Sequence, residues 1–340
     1  MLHGLHGPQQ HDEAPLLVAL VGPTAAGKTA AGIALAARLG GEIVSADAVA
    51  VYRGLDIGAA KPTREEQTRV RFHLIDVANP DEDFNVADYE RRANEAIEDI
   101  RRRGRIPILV GGTGLYVRAV TSILSLPHVP PQPDLRARLD IEAAAQGTPA
   151  LHARLARVDP LAASRIQAND RRRIVRALEV FEVTGRPLSS FHTPEGVYGR
   201  PRPNTVLFGL LPEPREALYR RIEARVDAML AGGFVDEVRG LLDRGYTPAK
   251  HKAMQSLGYR HLAAFLSGET DLDTAVAELM RDTRRYAKRQ IAWFGADRNL
   301  AWISLDETWT PHEVVEQVIR RLGQTGDASQ PAAARGQAAT

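Results

Sequence analysis

The stretch Gly22-Pro23-Thr24-Ala25-Ala26-Gly27-Lys28-Thr29 constrains this chain more than any other. Its Gly-x4-Gly-Lys-Thr pattern is that of a phosphate loop, a motif that works only between a strand and a helix. Both flanks agree. Pro15 to Val21 is an apolar run of strand length, and Ala30 to Leu39 has helical composition and stops at Gly40-Gly41. Strand, tight loop and helix N-terminus together make an anion cradle, because loop amides and the positive helix end converge on phosphate oxygens. Lys28 adds a point charge, and the Thr29 hydroxyl can hold Mg2+. The loop predicts a polyphosphate site. By itself it does not say whether phosphate is transferred or leaves.

Such a loop belongs to an α/β fold, and the following segments read accordingly. Glu42 to Asp47 reads as a second short strand ending on Asp47. Ligands of open α/β sheets sit at the carboxyl ends of strands, so Asp47 is expected to face the phosphate-loop cleft. Phe72 to Val77 reads as another strand. Asn85 with Asp88 resembles a capping box, opening a helix with Tyr89, Ala93, Ile97 and Ile100 on one face and Gly104 at its end. Arg105 to Val110 is a buried-strand run closing on Gly111-Gly112-Thr113. Phosphate-loop NTPases are expected to close such a strand on a Mg2+-holding Asp, so this ending counts against routine ATP hydrolysis. A close backbone approach plus the Thr113 hydroxyl suits another polar ligand.

The pattern then changes. Ser125 to Pro133 is a Pro-rich break, and from Asp134 to about Arg202 strand-like runs give way to Ala, Arg and Leu. A helical insertion is expected over 126–202, with one helix near Asp170 to Val183. Ile174, Leu178 and Phe181 form its apolar stripe, while Arg172, Arg173 and Arg176 offer either a solvated face or phosphate-backbone contacts. Thr205 to Leu211 re-enters the sheet. Pro212 and Pro214 open a long helix with Leu218, Ile222, Val226, Met229 and Leu230 toward the core and Arg220, Arg221 and Arg225 off that stripe. Ala275 to about Phe294 reads as a helix in which Arg281, Arg284, Arg285, Lys288 and Arg289 interleave with Tyr286 and Trp293, a mixture that favours nucleic acid unless the rings are plain core. The core is thus expected over 14–125 and 203–323, with 1–13 a loose arm and 324–340 a disordered tail.

Composition narrows the field. The chain has 340 residues, enough for one large core or two smaller ones. A formal net charge of +2 announces no global field for nucleic acid, so any basic surface is local. Absence of cysteine excludes disulfides and thiolate zinc sites and suits a reducing cytoplasm. No apolar run reaches the length of a membrane span.

These stretches together resemble the tRNA dimethylallyltransferase family. The residues that carry the likeness are the phosphate loop; Ser45-Ala46-Asp47 with Tyr52-Arg53-Gly54; Asp56-Ile57-Gly58 with Ala60-Lys61-Pro62; His73 to Asp76; Gly111 to Tyr116; Asn169-Asp170 with Arg173-Ile174 and Arg176 to Glu179; Thr184 to Pro187; Gly258-Tyr259-Arg260; and Ala287 to Gln290 with Trp293-Phe294. They follow the family's order from about residue 15 to 320.

The resemblance implies transfer of a dimethylallyl group from dimethylallyl diphosphate to N6 of the adenosine just 3′ of the tRNA anticodon. Diphosphate departs, held by Gly22, Pro23, Thr24, Ala25, Ala26, Gly27, Lys28 and Thr29, with Mg2+ on Thr29. Asp47, Lys28 and Thr113 are the expected catalytic residues, Asp47 as proton acceptor. The tRNA anticodon stem-loop is expected on Asp47, Ala48, Val49, Ala50, Thr113, Arg136, Arg172, Arg173, Ile174, Val175, Arg176, Gln255, Gly258, Tyr259, Arg260, Lys288, Arg289, Gln290 and Trp293. A monomer without membrane contact is expected. The chain departs from the family pattern at Ala48, Ala50, Ala59, Phe72 and Gly295, which strips hydroxyl and amide groups from the neighbourhood of Asp47. The alternatives are a phosphate-loop kinase using ATP with Asp47 as base, a nucleotide-gated RNA-binding module, and a prenyltransferase acting on free adenine nucleotides.

Overall fold

A computed structural model describes residues 16–123, 129–191 and 200–327. The first half of the core runs β1 (Leu17–Val21), α1 (Lys28–Leu39), β2 (Glu42–Ala46), α2 (Arg64–Arg69), β3 (Phe72–His73), α3 (Val86–Arg102), β4 (Pro107–Gly111) and α4 (Gly114–Thr121). An inserted unit follows: β5 (Ser122–Ile123), α5 (Pro133–Gln146), α6 (Thr148–Val158), α7 (Pro160–Arg165), α8 (Arg171–Thr184) and β6 (Arg200–Pro201). The core resumes with β7 (Thr205–Pro212), α9 (Arg215–Ala231), α10 (Phe234–Asp243), α11 (Tyr259–Leu266), α12 (Leu272–Gly295), β8 (Leu300–Leu305) and α13 (Pro311–Asp327).

Six strands form a parallel sheet in the order β3-β2-β4-β1-β7-β8. Its strands are covered on both faces, which is why β1, β2 and β4 read as unbroken apolar runs. Val18, Leu20, Ile108 and Phe208 pack on one side with Leu35 of α1 and Val314 and Val318 of α13. Ala19, Val21, Val44 and Leu109 pack on the other with Tyr89, Ile97 and Ile100 of α3. The register sets Val21 and Ala46 opposite Gly111, so β1, β2 and β4 end together. That common edge carries the phosphate loop, Asp47 and Thr113.

Local chemistry explains the boundaries. Asn85 caps α3 by accepting from Ala87 and Asp88 N–H while Asp88 answers to the Asn85 N–H, the expected capping box. The strand expected over Phe72 to Val77 stops at His73. Leu74 and Asp76 turn into left-handed backbone, φ 62° and 57°, and Asp76 reaches the nearly buried Lys61 at 2.6 Å. α13 continues to Asp327, so 324–327 is helix where tail was expected, an extension of the helix that buries Val314, Val315 and Val318. The arm 1–13, the rest of the tail and residues 125–128 of the Pro-rich break lie outside the described residues.

The chain divides into two compact units, 122–201 and the remainder. The inserted unit begins four residues before the expected 126, because Ser122 and Ile123 pair antiparallel with Pro201 and Arg200. Its own core joins Leu135, Leu139, Leu151, Leu155, Ile174 and Leu178. No helix among the described residues is long and apolar enough to cross a membrane.

Candidate active site

α1 begins at Lys28 immediately after Gly27, whose φ of 83° and lack of side chain let the chain turn beneath the Trp309 indole. A Cβ on Gly27 would lie 2.3 Å from that ring. The Lys28 ammonium donates to the Pro23 carbonyl at 2.7 Å. Burial, then the charge of Arg225, lowers its pKa to about 7, while Asp47 pulls the other way. Lys28, Arg225 and Asp47 thus share one electrostatic neighbourhood. Burial also lowers the Arg225 pKa, again opposed by Asp47.

Asp47 follows the last residue of β2. Its Oδ1 accepts from the N–H groups of Val49 at 2.8 Å and Ala50 at 3.1 Å. Its Oδ2 makes no hydrogen bond among the described residues. Thr113 faces it across the sheet edge: the Thr113 N–H donates to the Ala46 carbonyl at 3.1 Å, and Thr113 Oγ1 accepts from the Ala48 N–H at 3.0 Å. Burial, reinforced by Asp47 and opposed by Thr113 and Gln290, pushes the hydroxyl of Tyr286 on α12 up to about 12.

Asp47, Thr113, Arg225 and Tyr286 line a cavity of about 310 Å³. Thr24, Asp47, Thr113, Arg225 and Tyr286 stand on its polar side, and Ile222, Val226, Met229, Phe234 and Leu279 on its apolar side. A carboxylate, arginines and the phosphate-loop Thr24 on a cavity with one apolar side can hold an anion whose leaving exposes a hydrocarbon carbon to a nucleophile.

Similarity to known proteins identifies the class. A family model for IPP transferase matches residues 50–298. The tRNA dimethylallyltransferase of Symbiobacterium thermophilum is 49% identical over 306 residues, covering 90% of this chain and 94% of that protein. The chain belongs to the tRNA dimethylallyltransferase family. The relative from Geobacter metallireducens is 50% identical over 295 residues, 86% of this chain and 94% of its own. The tRNA isopentenylpyrophosphate transferase structure from Bacillus halodurans superposes with a TM-score of 0.67 at 40% identity, over 92% of this chain and 98% of the other. A eukaryotic dimethylallyltransferase acting on tRNA shares the fold, with a TM-score of 0.76 at 24% identity over 94% and 81% of the two chains.

Within this transferase core the expected site residues take several places. Asp47, Ala48, Val49, Thr113, Gln255, Gly258, Arg260 and Arg289 join Thr24 around the cavity. Ala50 is buried beside it. Lys288 stands exposed over the Tyr219 ring, 5.9 Å from its centre, and Trp293 is partly buried under Arg118 at 4.5 Å. Tyr259 and Gln290 are not surface groups as a tRNA contact requires. Tyr259 is fully buried and donates to Glu237 at 2.7 Å, while Glu237 also accepts from Asp56, Ile57 and Gly58 N–H. Gln290 is 5% exposed, with both ends of its amide bonded inside the protein.

In the inserted unit, Ile174 and Val175 are core residues rather than RNA contacts, since they occupy the apolar stripe of α8. Arg136 and Arg176 both hold the fully buried Glu179, at 2.7 and 2.6 Å, which also accepts from the Gln132 N–H. Those two arginines neutralise a buried carboxylate. Arg172 has no partner among the described residues, and Arg173 is exposed with Asp170 3.4 Å away. Arg225, read from the sequence as off the apolar stripe, stands on the cavity wall instead. Its spacing showed this: it lies three residues after Ile222 and four before Met229, on the face those two define.

Proposed function

We propose that this chain transfers the dimethylallyl group of dimethylallyl diphosphate to N6 of the adenosine just 3′ of the tRNA anticodon, releasing diphosphate. The observation that carries the reading is the placing of Asp47 and Arg225, which share the electrostatic neighbourhood of Lys28, on a cavity that also presents an apolar wall of Ile222, Val226, Met229, Phe234 and Leu279. An ATP-using kinase has no use for a hydrocarbon chamber beside its terminal phosphate.

The phosphate-loop amides and Lys28 hold the diphosphate, and Arg225 faces the charge that grows as the allylic C–O bond breaks. N6 of adenine forms the new C–N bond to that carbon. Its proton passes to Asp47, whose free Oδ2 is the accepting atom while Val49 and Ala50 fix Oδ1. Thr113 sets the carboxylate's neighbourhood through the Ala48 amide. An exocyclic amine is a weak nucleophile, so alignment inside the chamber supplies much of the rate. The adenine must leave its stack to enter.

Thr29 stands in the first turn of α1 beside Lys28, the position from which a hydroxyl holds a phosphate-bound Mg2+. Mg2+ bound there would offset diphosphate charge. The exposed Arg172 and Arg173 offer the inserted unit's cations for RNA phosphates, and Lys288 and Arg289 of α12 offer the core's own. Incubation with labelled dimethylallyl diphosphate and tRNA, followed by mass spectrometry of the nucleosides, tests the proposal. Label on N6 of that adenosine is expected. Phosphate transfer from labelled ATP, with no prenylated nucleoside, would replace it with the kinase reading.

A further inference from the structure

Gln290 links parts of the chain that are far apart in sequence. Its Oε1 accepts from the Thr24 N–H of the phosphate loop at 2.8 Å, and its Nε2 donates to the Gly112 carbonyl at 2.9 Å. The fit is close: a Cβ on Gly112 would meet the Gln290 amide nitrogen at 2.4 Å and the Gly22 carbonyl at 3.2 Å. From Gly112 the connection continues through backbone. Thr113 binds the Ala46 carbonyl with its N–H and the Ala48 N–H with its hydroxyl, on either side of Asp47. Tyr286, one helical turn earlier on α12, lines the same cavity as Thr113. A hydrogen-bonded path thus runs from the diphosphate cradle to the proton acceptor, and one neutral amide spans its middle.

We propose that Gln290 is a positioning residue. It fixes the separation between the phosphate loop, where the diphosphate sits, and the Asp47–Thr113 edge, where the adenine amine is deprotonated. This inference rests on the proposed transferase reaction and assigns Gln290 a task in the chemical step rather than a contact with tRNA. An amide is suited to it chemically. It accepts from one side and donates to the other without charge, which a buried location demands. Aspartate or glutamate in ionised form faces the Gly112 carbonyl with a lone pair, and an aliphatic residue leaves a buried N–H and a buried carbonyl unpaired.

The test uses Gln290→Met, which keeps length and removes both bonds, and Gln290→Glu, which restores both bonds only when protonated. A carboxylic acid presents one acceptor and one O–H donor, and burial raises its pKa. With tRNA and dimethylallyl diphosphate saturating, Gln290→Met is expected to lower kcat by about 10–100-fold, as loss of alignment does. Direct tRNA binding is expected to stay at the wild-type level. The kcat of Gln290→Glu relative to wild type is expected to climb as pH falls from about 8 to about 6, while the Gln290→Met ratio stays flat. Three results would overturn the assignment: wild-type kcat in Gln290→Met, weakened tRNA binding with full kcat at saturation, or a pH-independent ratio for Gln290→Glu. Because Gln290→Glu is compared with wild type at each pH in one folded protein, a folding defect of the methionine variant does not obscure the answer. Inactivity of the wild type itself would count against the transferase reading and not against this inference alone.

Discussion

Binding of the diphosphate should pull a proton onto Lys28. In the ligand-free protein, desolvation of this half-buried ammonium and then the charge of Arg225 lower its pKa to about 7 against the pull of Asp47, and among the described residues its hydrogen bond goes to the Pro23 carbonyl. At about pH 8 the free protein then carries a charged Lys28 in roughly one molecule of ten. A diphosphate beside the side chain favours the charged form, and the terminal phosphate of a diphosphate ester, which ionises at about 6 as a phosphate monoester does, is itself almost fully ionised at that pH. About 0.9 proton per site is therefore taken up on binding. Affinity should weaken by up to about tenfold per pH unit above 7 until the pKa of the complex is passed. Isothermal titration of dimethylallyl diphosphate, repeated in buffers of different ionisation enthalpy, reads the uptake as a slope. Lys28→Ala should abolish that slope together with most of the affinity. A wild-type slope of zero would refute the reasoning, because it would mean that Lys28 is already charged before the ligand arrives. The sign for stability follows from the same shift. Between about 7 and 10.5 the unfolded chain binds more protons than the native one, so the ligand-free protein should gain stability as pH rises through that window, by up to about 1.4 kcal/mol per unit.

Asp47→Asn keeps the oxygen that Val49 and Ala50 bind but loses the basic one; turnover should fall by about 10²–10⁴-fold with tRNA binding retained, and near-normal turnover would remove Asp47 as proton acceptor. Arg172→Ala with Arg173→Ala should weaken tRNA binding and reduce the salt slope by about 1 for each phosphate no longer neutralised, whereas an unchanged slope would make this face of α8 merely solvated. Arg176→Ala instead deprives the buried Glu179 of a partner and should cost the inserted unit about 1–3 kcal/mol, read in thermal or denaturant melting. Hydrogen bonding from Arg103, aided by His73, holds the Glu42 carboxyl at about 2. Its stabilisation is complete above the unfolded value of 4.5 and is lost as pH falls toward 2, so acid melting curves of Glu42→Gln should lack that component.

Much of the sheet was legible because its physics is local. β1, β2, β4 and β7 are buried on both faces and therefore read as unbroken apolar runs, and the phosphate loop between β1 and α1 has a fixed spacing. β8 was missed: Leu300–Leu305 is an edge strand with exposed Ser304 and half-exposed Ala301 and Trp302, so no apolar run marks it. Asp47 and Thr113 were legible as strand-end residues. The tasks of Gln290, Tyr259 and Glu179 were not. Each is set by partners distant in the chain: Gln290 by Thr24, 266 positions away, Tyr259 by Glu237, and Glu179 by Arg136. A polar side chain looks the same in sequence whether it faces water or a buried partner. Arginines at neighbouring positions of α8 show the difficulty, since Arg172 is exposed while Arg176 clamps a carboxylate.

The antiparallel pairing of Ser122–Ile123 with Arg200–Pro201 makes the inserted unit a graft on a short stem. Just outside it, the Arg202 N–H donates to the Thr121 carbonyl at 2.9 Å, so the core's two chain ends already meet. To the core, everything from 122 to 201 is a single long loop, and the entropy of closing a loop grows only with the logarithm of its length. Lineages can therefore lengthen, shorten or exchange this appendage at little cost to the folding of the catalytic body. The appendage is free to diverge while the phosphate-loop core keeps its arrangement.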